Sequence, residues 1–167
     1  MTTESVGIAI PLQPDRMANM LFAATREVFT SMLGSEVQES SEPEMERSDH
    51  FDGVLSLVGF VGAVIGNGVL ACSAGTACAL SSRLLMTEFS KVDAEVLDAV
   101  GEITNMIIGG FKNLLEPYAG RLQMSIPSVI HGRDIATRNS KVDLAVAVRC
   151  AFPGGEFGLT IRLAARD

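Results

Sequence analysis

The stretch GVLSLVGFVGAVIGNGVLACSAGTACALSS, from Gly53 to Ser82, decides the fold, because it carries no charged side chain from end to end. By length it could cross a bilayer, and Gly62 to Gly66 spells GxxxG, the small-residue motif of packed transmembrane helices. Its polar and small residues argue otherwise. Ser56, Asn67, Ser73, Ser81 and Ser82 interrupt it, and glycines 59, 62, 66, 68 and 75 would each cost about 1 kcal/mol inside a helix. Two apolar strands fit better, Val54 to Phe60 and Val64 to Cys72, joined by a bend near Val61 to Ala63 and followed by a helical segment from Gly75 to Met86. The run therefore predicts a buried hairpin and no membrane span.

Outward from the hairpin the period alternates between helix and strand. Upstream, Met17, Met20, Leu21, Ala24, Val28, Met32 and Leu33 recur at helical spacing between Pro14 and Gly34. Glu36 to Asp49, with Pro43 inside it, is polar and acidic and reads as a surface connection with an edge strand at its start. Downstream, Lys91 to Glu116 reads as a long second helix ended by Pro117 and Gly120. Beyond it the period is two: Leu122, Met124 and Ile126 up to Pro127, then Val142 to Val148, then Phe157 to Leu163 after the turn Pro153 to Glu156. Helix, hairpin, helices and strands in this order imply a repeated helix-plus-hairpin unit. The expected class is α/β (α+β), with long helices packed on a largely antiparallel sheet in one domain over residues 1–167.

Composition narrows the function. Hydrophobic residues make up 47% of the chain and mean hydropathy is +0.30, enough for a full core. Twenty acidic against thirteen basic side chains leave a net charge of −7. That balance argues against nucleic acid, which is held by Lys and Arg neutralising phosphates. Three cysteines (72, 78 and 150) lack CxxC spacing, and with only His50 and His131 beside them no metal site is expected. They read as reduced, buried thiols, and the N-terminus lacks the basic region of a signal peptide, so a cytoplasmic protein is expected.

Two motifs compete for the chemistry. Gly66-Asn67-Gly68-Val69-Leu70-Ala71 satisfies GxGxx(G/A), with Glu88 about twenty residues on as a dinucleotide site asks. The glycines fall inside an apolar strand, however, where a bulge or kink is the plainer reading. In the long helix, Val96, Leu97, Val100, Ile103, Ile107, Phe111, Leu114 and Leu115 share one arc at about 100° per residue. Opposite them Asp98, Glu102, Asn105 and Gly109 stack in a stripe facing away from the core. Asn and the pair Gly109-Gly110 are poor helix-interior residues, and small residues beside an acid and an amide would let another molecule approach closely.

The run Asp98-Ala-Val-Gly-Glu102-Ile-Thr-Asn105-Met-Ile-Ile-Gly109-Gly110-Phe-Lys112 resembles the signature helix of the CheC/CheX/FliY family of chemotaxis phosphatases, in which a Glu is followed three residues later by Asn. Val28 to Gly34, Gly53 to Leu57 and Ser125 to Gly132 resemble the CheX branch in order and spacing. The resemblance implies a CheC-like pseudo-two-fold fold and, as substrate, the phosphoryl-aspartate of a CheY-like response regulator. Relatives with two sites carry a second Glu/Asn pair on the first helix; here that helix offers Asp15 and Asn19, four apart, with Arg16 where the acid should be, so one site per chain is expected.

By the same resemblance, Glu102 and Asn105 are the catalytic pair; Asp98 and Gly109, on the same stripe, are expected as flanking partner contacts. The amide of Asn105 can accept from a water and donate to a phosphoryl oxygen, while Glu102 is expected to pair with the regulator's lysine. Mg²⁺ would belong to the regulator, and this chain would need no cofactor of its own. A CheX-like module that binds a regulator without turnover is the alternative. CheX relatives form homodimers through sheet edges, an arrangement open to the strands near the C-terminus; a monomer with protected edges is the other reading.

Overall fold

The computed structural model describes residues 12–41, 50–138 and 142–166. In chain order the elements are α1 (Pro14–Val28), β1 (Gln38–Glu39), β2 (His50–Gly62), β3 (Val64–Cys72), α2 (Ala74–Leu85), α3 (Ala94–Ala119), β4 (Leu122–Met124), β5 (Ser128–Ala136), β6 (Leu144–Phe152) and β7 (Gly155–Ala165). The uncharged run forms a hairpin: β2 and β3 pair antiparallel from Val54↔Cys72 to Val61↔Ile65. The reversal is tighter than the sequence indicates, since only Ala63 separates the strands, and β2 begins at His50. Among the described residues no helix is long and apolar enough to cross a membrane.

All seven strands join one antiparallel sheet in the order β1-β6-β7-β3-β2-β4, with β5 beside β4 on the same edge of β2. That order exposes the internal repeat. The two hairpins, β2–β3 and β6–β7, meet through β3 and β7, and each half lends an edge to the other. β1 borders β6, while β4 and β5 border β2. The long helices cross over likewise, α1 against β6 and α3 against β2 and β5. Alternation places Val58 and Phe60 of β2, Leu70 of β3, and Leu159, Ile161 and Leu163 of β7 in the core beneath the helices. Phe29 closes one end of that core, stacked on Phe157 at 5.6 Å between centroids and edge-on to Phe152 at 5.4 Å.

Several boundaries differ from the sequence reading for identifiable reasons. After Val28 the first helix widens into a π-helical turn, Phe29–Leu33, before Gly34 ends it at φ 58°. The extra residue per turn rotates the phase, burying Phe29 and Leu33 and leaving Met32 half exposed. Pro117 does not end α3: it sits in the last turn, and the helix runs to Ala119, where Gly120 at φ 83° breaks it. Ile126 leaves the expected alternation, because β4 stops at Met124. β5 escapes a search for apolar alternation altogether, its residues being exposed or half-buried throughout. In the acidic connection the expected edge strand is β1, whereas Pro43 lies outside the described residues.

The glycine motif is resolved by packing. β3 keeps an unbroken register with both β2 and β7 through Gly66, Asn67 and Gly68, so there is neither a bulge nor a strand-to-helix phosphate loop. Gly68 lies under α3: a Cβ there would come within 2.8 Å of Ile108 Cδ1. Its missing side chain lets the helix settle onto the sheet. Cys72, Cys78 and Cys150 are buried free thiols, and burial pushes those of Cys72 and Cys150 up to about 12.

Candidate active site

The rod that carries the stripe begins with a built cap, Asp93 Oδ1 accepting from the Val96 amide at 2.9 Å. From there α3 is enclosed on most sides. Val96, Val100, Ile103, Ile107, Phe111 and Leu115 are buried as the arc requires, and Ala99, Gly101, Thr104 and Ile108 are buried as well. Leu114, placed on the same arc, is instead 43% exposed near the helix end. Thr104 satisfies its buried hydroxyl by donating to Val100 O at 2.8 Å.

What remains open is narrow. Asp98 and Glu102 are exposed, and Asn105 and Gly109 are half-buried. Glu102 and Asn105, three apart, stand side by side on one helix face. Among the described residues neither side chain has a hydrogen-bond or ion-pair partner. Lys112, two turns beyond Asn105, is committed elsewhere: its ammonium lies 2.9 Å from Glu116 and holds that carboxyl below the usual range. The acid and the amide are therefore both available to a second molecule.

A wall flanks them on one side. The link from β4 to β5 lies against α3 at two glycines, with Met124 Cε 3.9 Å from the place a Gly109 Cβ would occupy. Val129 Cγ2 and Pro127 Cβ stand 3.2 and 3.6 Å from the corresponding place at Gly101. Eight residues of helix span about 12 Å, and Asn105 is the midpoint between those two glycines. Gly109 thus has its open flank filled by Met124 of the same chain, and Gly110 faces Ala24 of α1 at 3.3 Å. The smallness attributed to partner approach first serves packing within the chain. Gly101, which the stripe did not include, seats the other end of the link; its signal in the sequence was a small residue directly before the acid.

The matching place on α1 is built differently. Asp15 and Asn19 line a groove of about 340 Å³ with Glu39, Ser40 and Arg149. Arg149 is paired with Glu156 at 2.7 Å. Arg16, standing where an acid would be needed, is drawn to the end of α3, donating to the Tyr118 hydroxyl at 2.6 Å with its guanidinium 4.6 Å from the ring centroid. Among the described residues, only α3 presents a carboxylate followed three residues later by an amide.

A family model described as Chemotaxis phosphatase CheX matches residues 54–150, which include the β2–β3 hairpin and the whole of α3. The chain belongs to the CheX family. Among its relatives, the CheY-P phosphatase CheX of Thermotoga maritima is 24% identical over 134 residues, covering 80% of this chain and 86% of that protein. The crystal structure of chemotaxis protein CheX from Vibrio vulnificus superposes with a TM-score of 0.75 at 25% identity, over 91% of this chain and 99% of that one. A CheX–CheY–BeF3–Mg²⁺ complex from Borrelia burgdorferi shares the fold, with a TM-score of 0.73 at 24% identity over 87% and 96% of the two chains. The mixed helix and antiparallel sheet architecture described above is shared with these CheX structures.

Proposed function

We propose that this CheX family member hydrolyses the phosphoryl-aspartate of a CheY-like response regulator. The observation that carries the reading is the unpartnered pair Glu102 and Asn105, three residues apart on the open strip of a helix whose opposite face is buried. A relative named as a CheY-P phosphatase and a related CheX captured with CheY, beryllofluoride and Mg²⁺ support it.

An acyl phosphate is already activated, so the catalyst's main task is to place water in line with phosphorus. The water oxygen forms a new P–O bond as the bond to the aspartyl oxygen breaks, leaving aspartate carboxylate and inorganic phosphate. In this reading the Asn105 carbonyl accepts from the attacking water while its NH₂ donates to a phosphoryl oxygen, without adding negative charge. Glu102 pairs with the regulator's lysine and sets the register in which Asn105 enters. Asp98 extends the acidic flank, and Gly109 keeps the strip low beside Asn105. In this reading Mg²⁺ belongs to the regulator, in keeping with a related CheX–CheY–BeF3–Mg²⁺ complex.

The deciding experiment follows the decay of a panel of phosphorylated receiver domains with and without this protein. Accelerated phosphate release from at least one is expected. Binding without faster decay would replace the enzyme with a docking module.

A further inference from the structure

We infer that Ile126 is the apolar anchor through which the phosphorylated receiver domain seats itself beside Asn105, an inference that rests on the phosphatase reading. Ile126 is 86% exposed, far more than an aliphatic side chain gains from in isolation. Scattered exposed apolar residues are ordinary, so exposure alone decides nothing. Position and mounting distinguish this one.

Its position follows from its neighbours. Met124 meets α3 at Gly109 and Pro127 meets it at Gly101, so Ile126 lies on the chain between two contacts that bracket Asn105. One residue from Pro127 and two from Met124, the Ile126 backbone is held to the wall, and its side chain is open to solvent. Its mounting is rigid. The Ser125 amide donates to Gly59 O at 3.0 Å, the Gly59 amide donates to Ser125 Oγ at 2.8 Å, and Ser125 Oγ donates to Ile126 O at 3.0 Å. Met124 is registered against Phe60 on β2, and Pro127 fixes its own φ. A β-branched side chain on such a base has few rotamers to lose, so little entropy opposes its burial.

Charge selects the occupant. Two exposed carboxylates, Asp98 and Glu102, stand on the strip beside the anchor, and neither has a partner among the described residues. An apolar post next to an acidic rim fits a recess rimmed by cations. A receiver domain offers that rim, because a site that holds an acyl phosphate must gather cationic groups around the phosphoryl oxygens. Glu102 and Asn105 alone supply too little apolar area to hold a partner, and interface energy concentrates in a few well-buried side chains. Ile126 supplies it next to the chemistry and touches no reacting atom, which makes it an affinity-setting residue.

The test uses a receiver domain whose decay the full-length protein accelerates. Ile126→Ala should raise KM for the phosphorylated domain about tenfold with kcat altered less than twofold, Ile126→Asp should raise it further, and Ile126→Leu should restore it to within about twofold. Titration with the beryllofluoride–Mg²⁺ form of the same domain should show Kd about tenfold weaker for Ile126→Ala. Unchanged KM and Kd in Ile126→Ala, or a fall in kcat alone, would overturn the inference and leave the phosphatase reading standing. A panel in which no domain is bound or dephosphorylated would overturn both, whereas binding that weakens in Ile126→Ala without any turnover would overturn the catalytic reading only.

Discussion

Replacing Asn105 by alanine separates the stability of α3 from its chemistry. The side chain is half-buried and has no hydrogen-bond partner among the described residues, so the fold loses no hydrogen bond of its own when the amide is removed. Alanine is the better helix former by up to about 0.7 kcal/mol, and Asn105 lies mid-helix in Ala94–Ala119. For a domain of this size that gain corresponds to a melting temperature unchanged or raised by about 1 to 3 °C. The transition state loses a positioned group, for which about 3 to 4 kcal/mol is typical, a fall in kcat of roughly a hundred- to a thousandfold. Phosphate release from a saturating phosphorylated receiver domain, measured beside thermal unfolding of the same preparation, reads both quantities. A variant with the full rate would refute the assignment. A variant that melts many degrees early would show that the amide belongs to the fold.

Other consequences follow from neighbouring features. Glu102→Ala should raise KM and flatten its dependence on salt, since an exposed carboxylate acts on a partner's cation through a screened field; steady-state decay kinetics at two ionic strengths check this. Gly68→Ala places a Cβ 2.8 Å from Ile108 Cδ1, and overpacking of this kind costs about 1 to 3 kcal/mol; urea unfolding should show the loss, and Ile108→Val in the same chain should recover part of it. Cys72 and Cys150, whose thiols burial raises from 9.0 to about 12, should resist alkylation at pH 8 until the protein unfolds, as mass spectrometry would show. Because the fold favours their neutral form, their contribution to stability is intact below pH 9. It falls as pH rises toward 12, by about 1.4 kcal/mol per pH unit and thiol, a slope that unfolding curves across that range would detect.

Much of the architecture was legible because the residues involved act locally. The hairpin could be read from Gly53 to Ser82 since glycine and serine spoil a helix wherever they stand. α3 could be read from its apolar arc, although the spacing began it at Lys91, three residues before the Ala94 start that Asp93 caps. The acid and amide were legible through their spacing, which a helix turns into adjacency without help from the rest of the chain. The π-helical turn at Phe29–Leu33 was not, because it answers to the aromatic cluster with Phe152 and Phe157, more than a hundred residues away. Pro117 misled for a related reason: its missing N–H costs one bond in a last turn that the following strand's docking keeps in place.

By itself the sequence determined the inventory: two long helices, two hairpins, an excess of acid, and one carboxylate followed three residues later by an amide. These depend on spacing and composition, which the chain carries in any conformation. Only the tertiary structure decided which glycines are spoken for, with Gly109 given to Met124, Gly110 to Ala24 and Gly68 to Ile108. It also decided that Arg16 turns to Tyr118 and that Ile126 stands exposed on the link whose two ends, Met124 and Pro127, meet α3. Those outcomes depend on which distant surfaces the sheet brings together, and close packing in three dimensions has no counterpart in the order of residues along a line.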